Sequence, residues 1–69
     1  MRITVTQNPS GTLTAKGGGK HRTSTSVGNE DHARYRTAAQ AVAKVHGLSL
    51  FPHTETIDVS TGRAVFEVS

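Results

Sequence analysis

The sequence predicts an α+β domain in which one helix packs on one face of an antiparallel sheet, with the element order βββαββ. Two observations carry this prediction. Short segments with the alternating apolar and polar pattern of strands lie on both sides of the chain's centre, and residues 30–46 between them carry apolar residues at helical spacing. Glycine, proline and asparagine separate these segments. The length of 69 residues fits one small domain, residues 1–69.

The first half of the sequence predicts a hairpin followed by a third strand. Residues 2–6 and 12–16 alternate between apolar and polar side chains, and the turn sequence 8–11 between them contains proline and glycine. Residues 21–27 also alternate but are polar, so we expect an edge strand or one that is only half covered. The residues expected to face inward in these strands are Ile3, Val5, Leu13, Ala15, Thr23, Thr25 and Val27.

The helix is predicted over about residues 30–46. Asn29 stands at the N-cap position, and two acidic residues follow it where the helix dipole favours anions. Gly47 stands at the C′ position, after which Leu48 is expected to make an apolar contact. The apolar stripe of the helix consists of Tyr35, Ala38, Ala39, Val42 and Val45.

A second hairpin is predicted after the helix. Residues 56–59 and 64–68 alternate on either side of the turn sequence 60–63. This hairpin either completes the same sheet or pairs across a dimer. Its inward-facing residues are expected to be Ile57, Val59, Ala64, Phe66 and Val68.

The small number of large apolar side chains makes a homodimer a candidate. Burial stabilises by about 1.5–3 kcal/mol for each large side chain, which only just offsets the ordering entropy of a chain this short. The absence of cysteine excludes a disulfide scaffold and a cysteine-based zinc site. No run approaches the ~18 apolar residues of a membrane span, and no hydrophobic segment follows Met1. We therefore expect a cytoplasmic protein without a membrane partner.

Basic residues concentrate in the first part of the chain. Residues 1–29 carry a charge of +4 without any acidic residue, residues 30–46 carry +1 and residues 47–69 carry −2, which gives the net charge of +3. This asymmetry favours a polyanionic partner. The alternative is that the charge serves only solubility.

Three consecutive glycines lie between Lys16 and a Lys-His-Arg segment. Glycine-rich turns can form anion-binding concavities from backbone N–H groups. The segment is not a nucleotide-binding P-loop, because Gly19-Lys20 is followed by a predicted strand and not by a helix. The alternative is a flexible hairpin tip. The candidate nucleic-acid-binding residues are Arg2, Lys16, Gly18, Lys20, His21, Arg22, Arg34 and Arg36.

The polar face of the first three strands extends this candidate surface. Short hydroxyl and basic side chains suit phosphate contacts, and the alternative is an ordinary solvated face. Arg34 and Arg36 can support such contacts or pair with Glu30 and Asp31. Aromatic platforms for unpaired bases are missing, which favours duplex DNA. The face is expected to contain Arg2, Thr4, Thr6, Thr12, Thr14, Lys16, Arg22, Ser24 and Ser26.

The four histidines do not predict a metal site. They lack the i, i+4 spacing of zinc hydrolases, and His46 is expected to interact with the C-terminal end of the helix. No nucleophile motif or spaced carboxylate pair indicates catalysis. We therefore expect a non-enzymatic protein without metal or cofactor, and a small enzyme or metal-dependent factor is the weakest alternative.

Several segments follow one another as a strand, a basic hairpin, a strand rich in Lys, Arg, Ser and Thr, a glycine and an alanine-rich helix: residues 12–16, 19–26, Gly28 and 38–43. In this order they resemble the arm-type or AP2-like βββα DNA-binding modules of phage integrases. The resemblance covers about half of the chain. It implies that the sheet enters the major groove, with contacts from Arg2, Lys16, Lys20 and Arg22.

Two further resemblances concern the same chain. The βββα portion also resembles the second half of a double-stranded RNA-binding domain. In length and polarity the chain resembles short phage or prophage proteins, whose tasks often include binding a host protein. The predicted function is a phage-like accessory protein that binds nucleic acid through a basic hairpin and a polar sheet face. The alternative is a protein-interaction module that binds a host protein or forms a homodimer through edge strands.

Overall fold

In the part of the chain that the structure describes, one antiparallel five-stranded sheet carries a single helix, which confirms the predicted α+β class and the βββαββ order. The structure, a computed structural model, describes residues 1–24 and 31–68. The strand order across the sheet is β3-β2-β1-β5-β4, and the second hairpin therefore joins the first in one sheet. The elements are β1 (Arg2–Gln7), β2 (Leu13–Gly17), β3 (Lys20–Ser24), α1 (Asp31–Val45), β4 (His53–Asp58) and β5 (Arg63–Val68).

The core lies between the sheet and α1. The predicted alternation of β1, β2 and β5 is confirmed, because their inward residues Ile3, Val5, Leu13, Ala15, Ala64, Phe66 and Val68 are all buried. The helix contributes a buried stripe with small residues at its centre, which lets it lie close to β1, β2 and β3. This stripe consists of Tyr35, Ala38, Ala39, Val42 and Ala43. Leu50, from the connector after the helix, completes the core.

The end of α1 follows the predicted capping pattern. Gly47 has a φ of 72°, and its N–H donates to the Lys44 carbonyl oxygen at 2.9 Å. The Leu48 N–H donates to the Ala43 carbonyl oxygen, also at 2.9 Å. These two hydrogen bonds form a Schellman motif, which confirms Gly47 as the C′ residue. At 15 residues, α1 is too short to cross a bilayer, and no helix within residues 1–24 and 31–68 is long and apolar enough to do so.

The prediction for the inner face of β3 was wrong. Ala15 pairs with Arg22 and Leu13 pairs with Ser24, so Arg22 and Ser24 lie on the helix side of the sheet. Thr23 pairs with Thr14 and lies on the opposite, open side. The strand β3 has no apolar residue whose burial would determine which side chains point inward. The turn before it therefore determines on which face of the sheet each residue lies. The predicted strand residues 25–27, Gly28, the N-cap at residue 29 and Glu30 lie outside the described residues.

Several apolar residues predicted to be inward are not buried. The strand β4 begins at His53, three residues earlier than predicted, and ends at Asp58, so Val59 lies in the following turn and is exposed. Asp58 sets this turn, because its carboxylate accepts hydrogen bonds from the N–H and the hydroxyl of Ser60. Val45 and Leu48 are also exposed.

Candidate nucleic-acid interface

The strands β2 and β3 are joined by a two-residue turn made of Gly18 and Gly19. Gly17 pairs with Lys20 as the last pair of the ladder. Gly18 and Gly19 have φ values of 56° and 80°, and a type I′ turn requires positive φ at both central positions. Two of the three glycines are therefore explained by the backbone of a tight hairpin.

Close packing explains why Gly17 is a glycine, and it gives Gly18 a second reason to be one. A β-carbon on Gly17 would lie 2.9 Å from Ile3 Cγ1 and 3.0 Å from the Arg2 carbonyl oxygen. A β-carbon on Gly18 would lie 2.7 Å from the ring of His46, whereas one on Gly19 would meet nothing within 4 Å. The hairpin therefore packs directly against β1 and against the residue that follows α1.

His46 fixes the hairpin to the end of the helix. Its Nε2 lies 2.9 Å from the Gly17 carbonyl oxygen, and since a carbonyl only accepts, Nε2 carries the proton and donates. The predicted interaction of His46 with the helix C-terminus is corrected by this bond to β2. The backbone that carries the cationic side chains is thus held in place before any partner binds.

Four cationic or titratable side chains surround this turn, and all of them are exposed. Lys16 and His21 are cross-strand partners on the open face, while the alternation of β3 places Lys20 and Arg22 toward the helix side. Within residues 1–24 and 31–68, none of the four forms an ion pair. The hairpin therefore carries positive charge on both of its faces.

An open hollow lies beside the turn, and three of the residues that line it, Thr4, Lys16 and His21, lie on the open face of the sheet. Its volume is about 500 Å³. It combines two lysines, a histidine, a threonine hydroxyl and glycine backbone, which are groups that contact phosphate oxygens. The residues that line it are Thr4, Lys16, Gly17, Gly19, Lys20 and His21. Thr4 was predicted on the polar face and Gly17 in the glycine segment, but that they line one hollow follows from strand pairing and not from a local motif.

The open face around this hollow is rich in hydroxyl groups. Thr4, Thr6, Thr14 and Thr23 lie on this face by alternation, and the Thr14 and Thr23 hydroxyls are 3.2 Å apart. Arg22 and Ser24 were predicted to lie on the same face, and their position on the helix side corrects that part of the prediction. Ser26 lies outside the described residues.

Three of the predicted contact residues bond to distant parts of the domain, whereas among the described residues Arg22 Nη1 donates only to the carbonyl oxygen of its neighbour His21, at 3.0 Å. Arg2 Nε donates to Glu67 Oε1 at 2.5 Å, and Arg34 Nη2 donates to the Gly11 carbonyl oxygen at 2.6 Å. Arg36 donates to both carboxylate oxygens of Glu55 on β4, with Nη2 to Oε2 at 2.6 Å. The structure therefore separates Arg34 and Arg36 from the hairpin. Their alternative pairing with residues 30 and 31 lies outside the described side chains.

Acidic side chains lie on the other half of the sheet. Glu55 and Asp58 belong to β4 and Glu67 belongs to β5. The Arg36 guanidinium and, after it, the His53 ring hold the pKa of Glu55 at about 2, well below its ordinary value of 4.5. The Ser60 hydroxyl lowers the pKa of Asp58. One edge of the sheet is thus cationic, and the other half carries carboxylates.

The described part of the chain brings together no three histidine, cysteine, aspartate or glutamate side chains that could hold a metal ion. His53 and Glu55 form a close pair, with Nε2 and Oε1 2.6 Å apart. Their shared position on the helix side of β4 was not predicted, since the strand was expected to begin only at Thr56.

No protein-family model, curated protein or solved structure gives a match to this chain. The resemblance to integrase modules therefore stays a prediction from the sequence.

Proposed function

We propose that this chain is a non-enzymatic nucleic-acid-binding protein that contacts duplex DNA through the β2–β3 hairpin. One observation carries the proposal: a tight, anchored hairpin presents Lys16, Lys20 and Arg22 without an ion-pair partner among the described residues. By contrast, Arg2 and Arg36 are bonded to carboxylates of β5 and β4. The proposal therefore restricts the contacts to these three residues of the hairpin, with His21 beside them.

The shape of the hairpin favours DNA over RNA. The major groove of B-form DNA is about 12 Å wide and admits a two-stranded ribbon. The corresponding groove of A-form RNA is deep and narrow, and side chains cannot read it. In this arrangement the cations of the hairpin contact phosphates on the groove walls, and the threonine hydroxyls of the open face add hydrogen bonds.

The first prediction concerns the salt dependence of binding. Three neutralised phosphates give a slope of about −2.7 in a plot of log affinity against log salt concentration. The measurement is fluorescence anisotropy of a labelled duplex of mixed sequence, titrated at several salt concentrations. Each of Lys16→Ala, Lys20→Ala and Arg22→Ala is expected to make this slope shallower by about 0.9.

Arg63→Ala is the matched control. It removes the same charge from β5, at the end of the sheet away from the β2–β3 turn. The slope is expected to stay unchanged in this variant. Absence of binding at low salt, or an equal loss with Arg63→Ala, would exclude the hairpin as the contact surface. A duplex RNA of the same sequence is expected to bind more weakly.

A further inference from the structure

The strand β4 forms the second edge of the sheet and offers unpaired backbone groups. Met1 and Val68 exchange two backbone hydrogen bonds, so alternate residues of β5 turn their backbone groups toward β1. The backbone groups of Glu67 and Val65 therefore point toward β4, where these two residues pair with Thr54 and Thr56. By the same alternation, the backbone N–H and C=O groups of His53, Glu55 and Ile57 point away from the sheet. No described strand pairs with them.

Exposed apolar residues stand at both ends of this edge. Phe51 is 61% exposed and lies two residues before β4, with its ring against His53 at a centroid distance of 4.7 Å. Val59 is 41% exposed and follows the last residue of β4. The helix packs mainly on β1, β2 and β3 and leaves this side of the sheet less covered.

We propose that two copies of this chain pair through β4 in an antiparallel arrangement centred on Glu55. In this register His53 lies opposite Ile57 of the second copy, and Thr54 lies opposite Thr56. The outward groups of three residues on each copy then form six backbone hydrogen bonds, and the two sheets become one of ten strands. The same register brings the Phe51 of each copy and the Val59 of the other to the same end of the paired strands, where both are exposed in the single chain.

A second copy fits this edge better than the other edge of the sheet. Glu55 lies opposite itself at the two-fold axis, but each carboxylate is already bonded to Arg36 of its own copy. On β3, antiparallel self-pairing centred on Arg22 or on His21 would set Arg22 against Arg22 or against Lys20, and like charges directly opposite destabilise a pair. The threonine pairs of β4, in contrast, suit cross-strand hydrogen bonds. We therefore expect self-association through β4 and not through β3.

The mass of the protein in solution tests this proposal. Sedimentation equilibrium is expected to give about twice the 7.3 kDa of the single chain. In the variant Thr54→Lys/Thr56→Lys, two like-charged pairs would face each other, and we expect dimer affinity to fall about tenfold or more. Thr6→Lys, an exposed threonine on the central strand β1, is the matched control and is expected to leave the affinity unchanged. A monomer at all concentrations up to the millimolar range would overturn the proposal.

Cysteine cross-linking tests the register. Cα atoms of a non-hydrogen-bonded pair lie about 4.5 Å apart, within the range that a disulfide needs. Thr54→Cys/Thr56→Cys is therefore expected to form a covalent dimer on oxidation, and the chain contains no other cysteine. Each single variant places its two thiols on a diagonal of about 7–8 Å and is expected to stay uncross-linked. Rapid cross-linking of Thr56→Cys alone would contradict this register, because it would place the two-fold axis at Thr56.

Discussion

Gly18→Ala is expected to lower the free energy of unfolding by about 2–4 kcal/mol. The φ of 56° at this position costs an L-residue about 1–2 kcal/mol. The added β-carbon also lies 2.7 Å from the His46 ring, so the ring must move and its hydrogen bond to the Gly17 carbonyl oxygen is disturbed. Urea unfolding followed by circular dichroism measures this change.

The neighbouring glycines provide matched comparisons for this prediction. Gly19→Ala meets no atom within 4 Å and is expected to cost only the conformational penalty of about 1–2 kcal/mol. Gly17→Ala has no positive-φ penalty but presses on Ile3 and on the Arg2 carbonyl oxygen, with an expected cost of about 1–3 kcal/mol. Comparison of the three alanine variants thus separates the energetic cost of positive φ from the cost of close packing within one loop.

A double-mutant cycle isolates the contribution of the ring. In the His46→Ala background the side chain that meets the new β-carbon is absent, and the cost of Gly18→Ala is expected to fall to that of Gly19→Ala. Additive costs for Gly18→Ala and His46→Ala would show that the two residues are not coupled. The hairpin would then not be anchored by the contact that the structure places there.

The strands with one apolar face could be predicted in detail from the sequence. In β1, β2 and β5 each inward position carries an apolar residue, and burial of that face fixes the register. The helix is equally clear, because its stripe and its C′ glycine agree on where it ends. In these elements local pattern and tertiary packing favour the same structure.

The strands β3 and β4 could not be placed in this way, since polar residues lie on their inner faces. The phase of β3 depends on the two-residue turn Gly18-Gly19, which makes Gly17 and Lys20 partners and thereby turns Arg22 inward. The inner face of β4 carries His53 and Glu55, and Glu55 forms an ion pair with Arg36 from the helix. A long-range ion pair of this kind leaves no periodic signal in the sequence.

The same limit applies to the candidate site. The cationic segment from Lys16 to Arg22 is visible in the sequence, and the structure keeps these residues together on one hairpin. The bonds of Arg2 to Glu67 and of Arg36 to Glu55 are not visible, because each joins residues far apart in the chain. Composition therefore points to the basic hairpin but does not show that Arg2 and Arg36 are already bonded to carboxylates of the same domain.

Protonation of Glu55 is expected to make the domain less stable as the pH falls from about 5 to about 2. Its folded-state pKa of about 2 is depressed from 4.5, so its contribution is fully present above about pH 5 and is lost as the carboxylate is protonated on the way to about pH 2. The difference corresponds to about 3 kcal/mol at most. Because the side chains of Glu55 and Arg36 are 25% and 39% exposed, solvent reduces the expected loss to about 1–2 kcal/mol.

Glu55→Gln is the variant that tests this contribution, and urea unfolding at a series of pH values between about 2 and 6 is the measurement. Glutamine keeps the size of the side chain but does not titrate, so the stability of the variant is expected to fall less steeply over this range. Asp58 also has a lowered pKa and loses its contribution in both proteins, so the difference between them reports Glu55 alone.

Glu67→Gln is the control, since its ion pair with Arg2 is largely exposed and is worth about 1 kcal/mol or less. Parallel pH profiles for the parent chain and Glu55→Gln would show that Arg36 and His53 do not stabilise the ionised carboxylate. In the Thr54→Lys/Thr56→Lys background the same comparison excludes any effect of self-association, and there the difference between the two profiles is expected to persist.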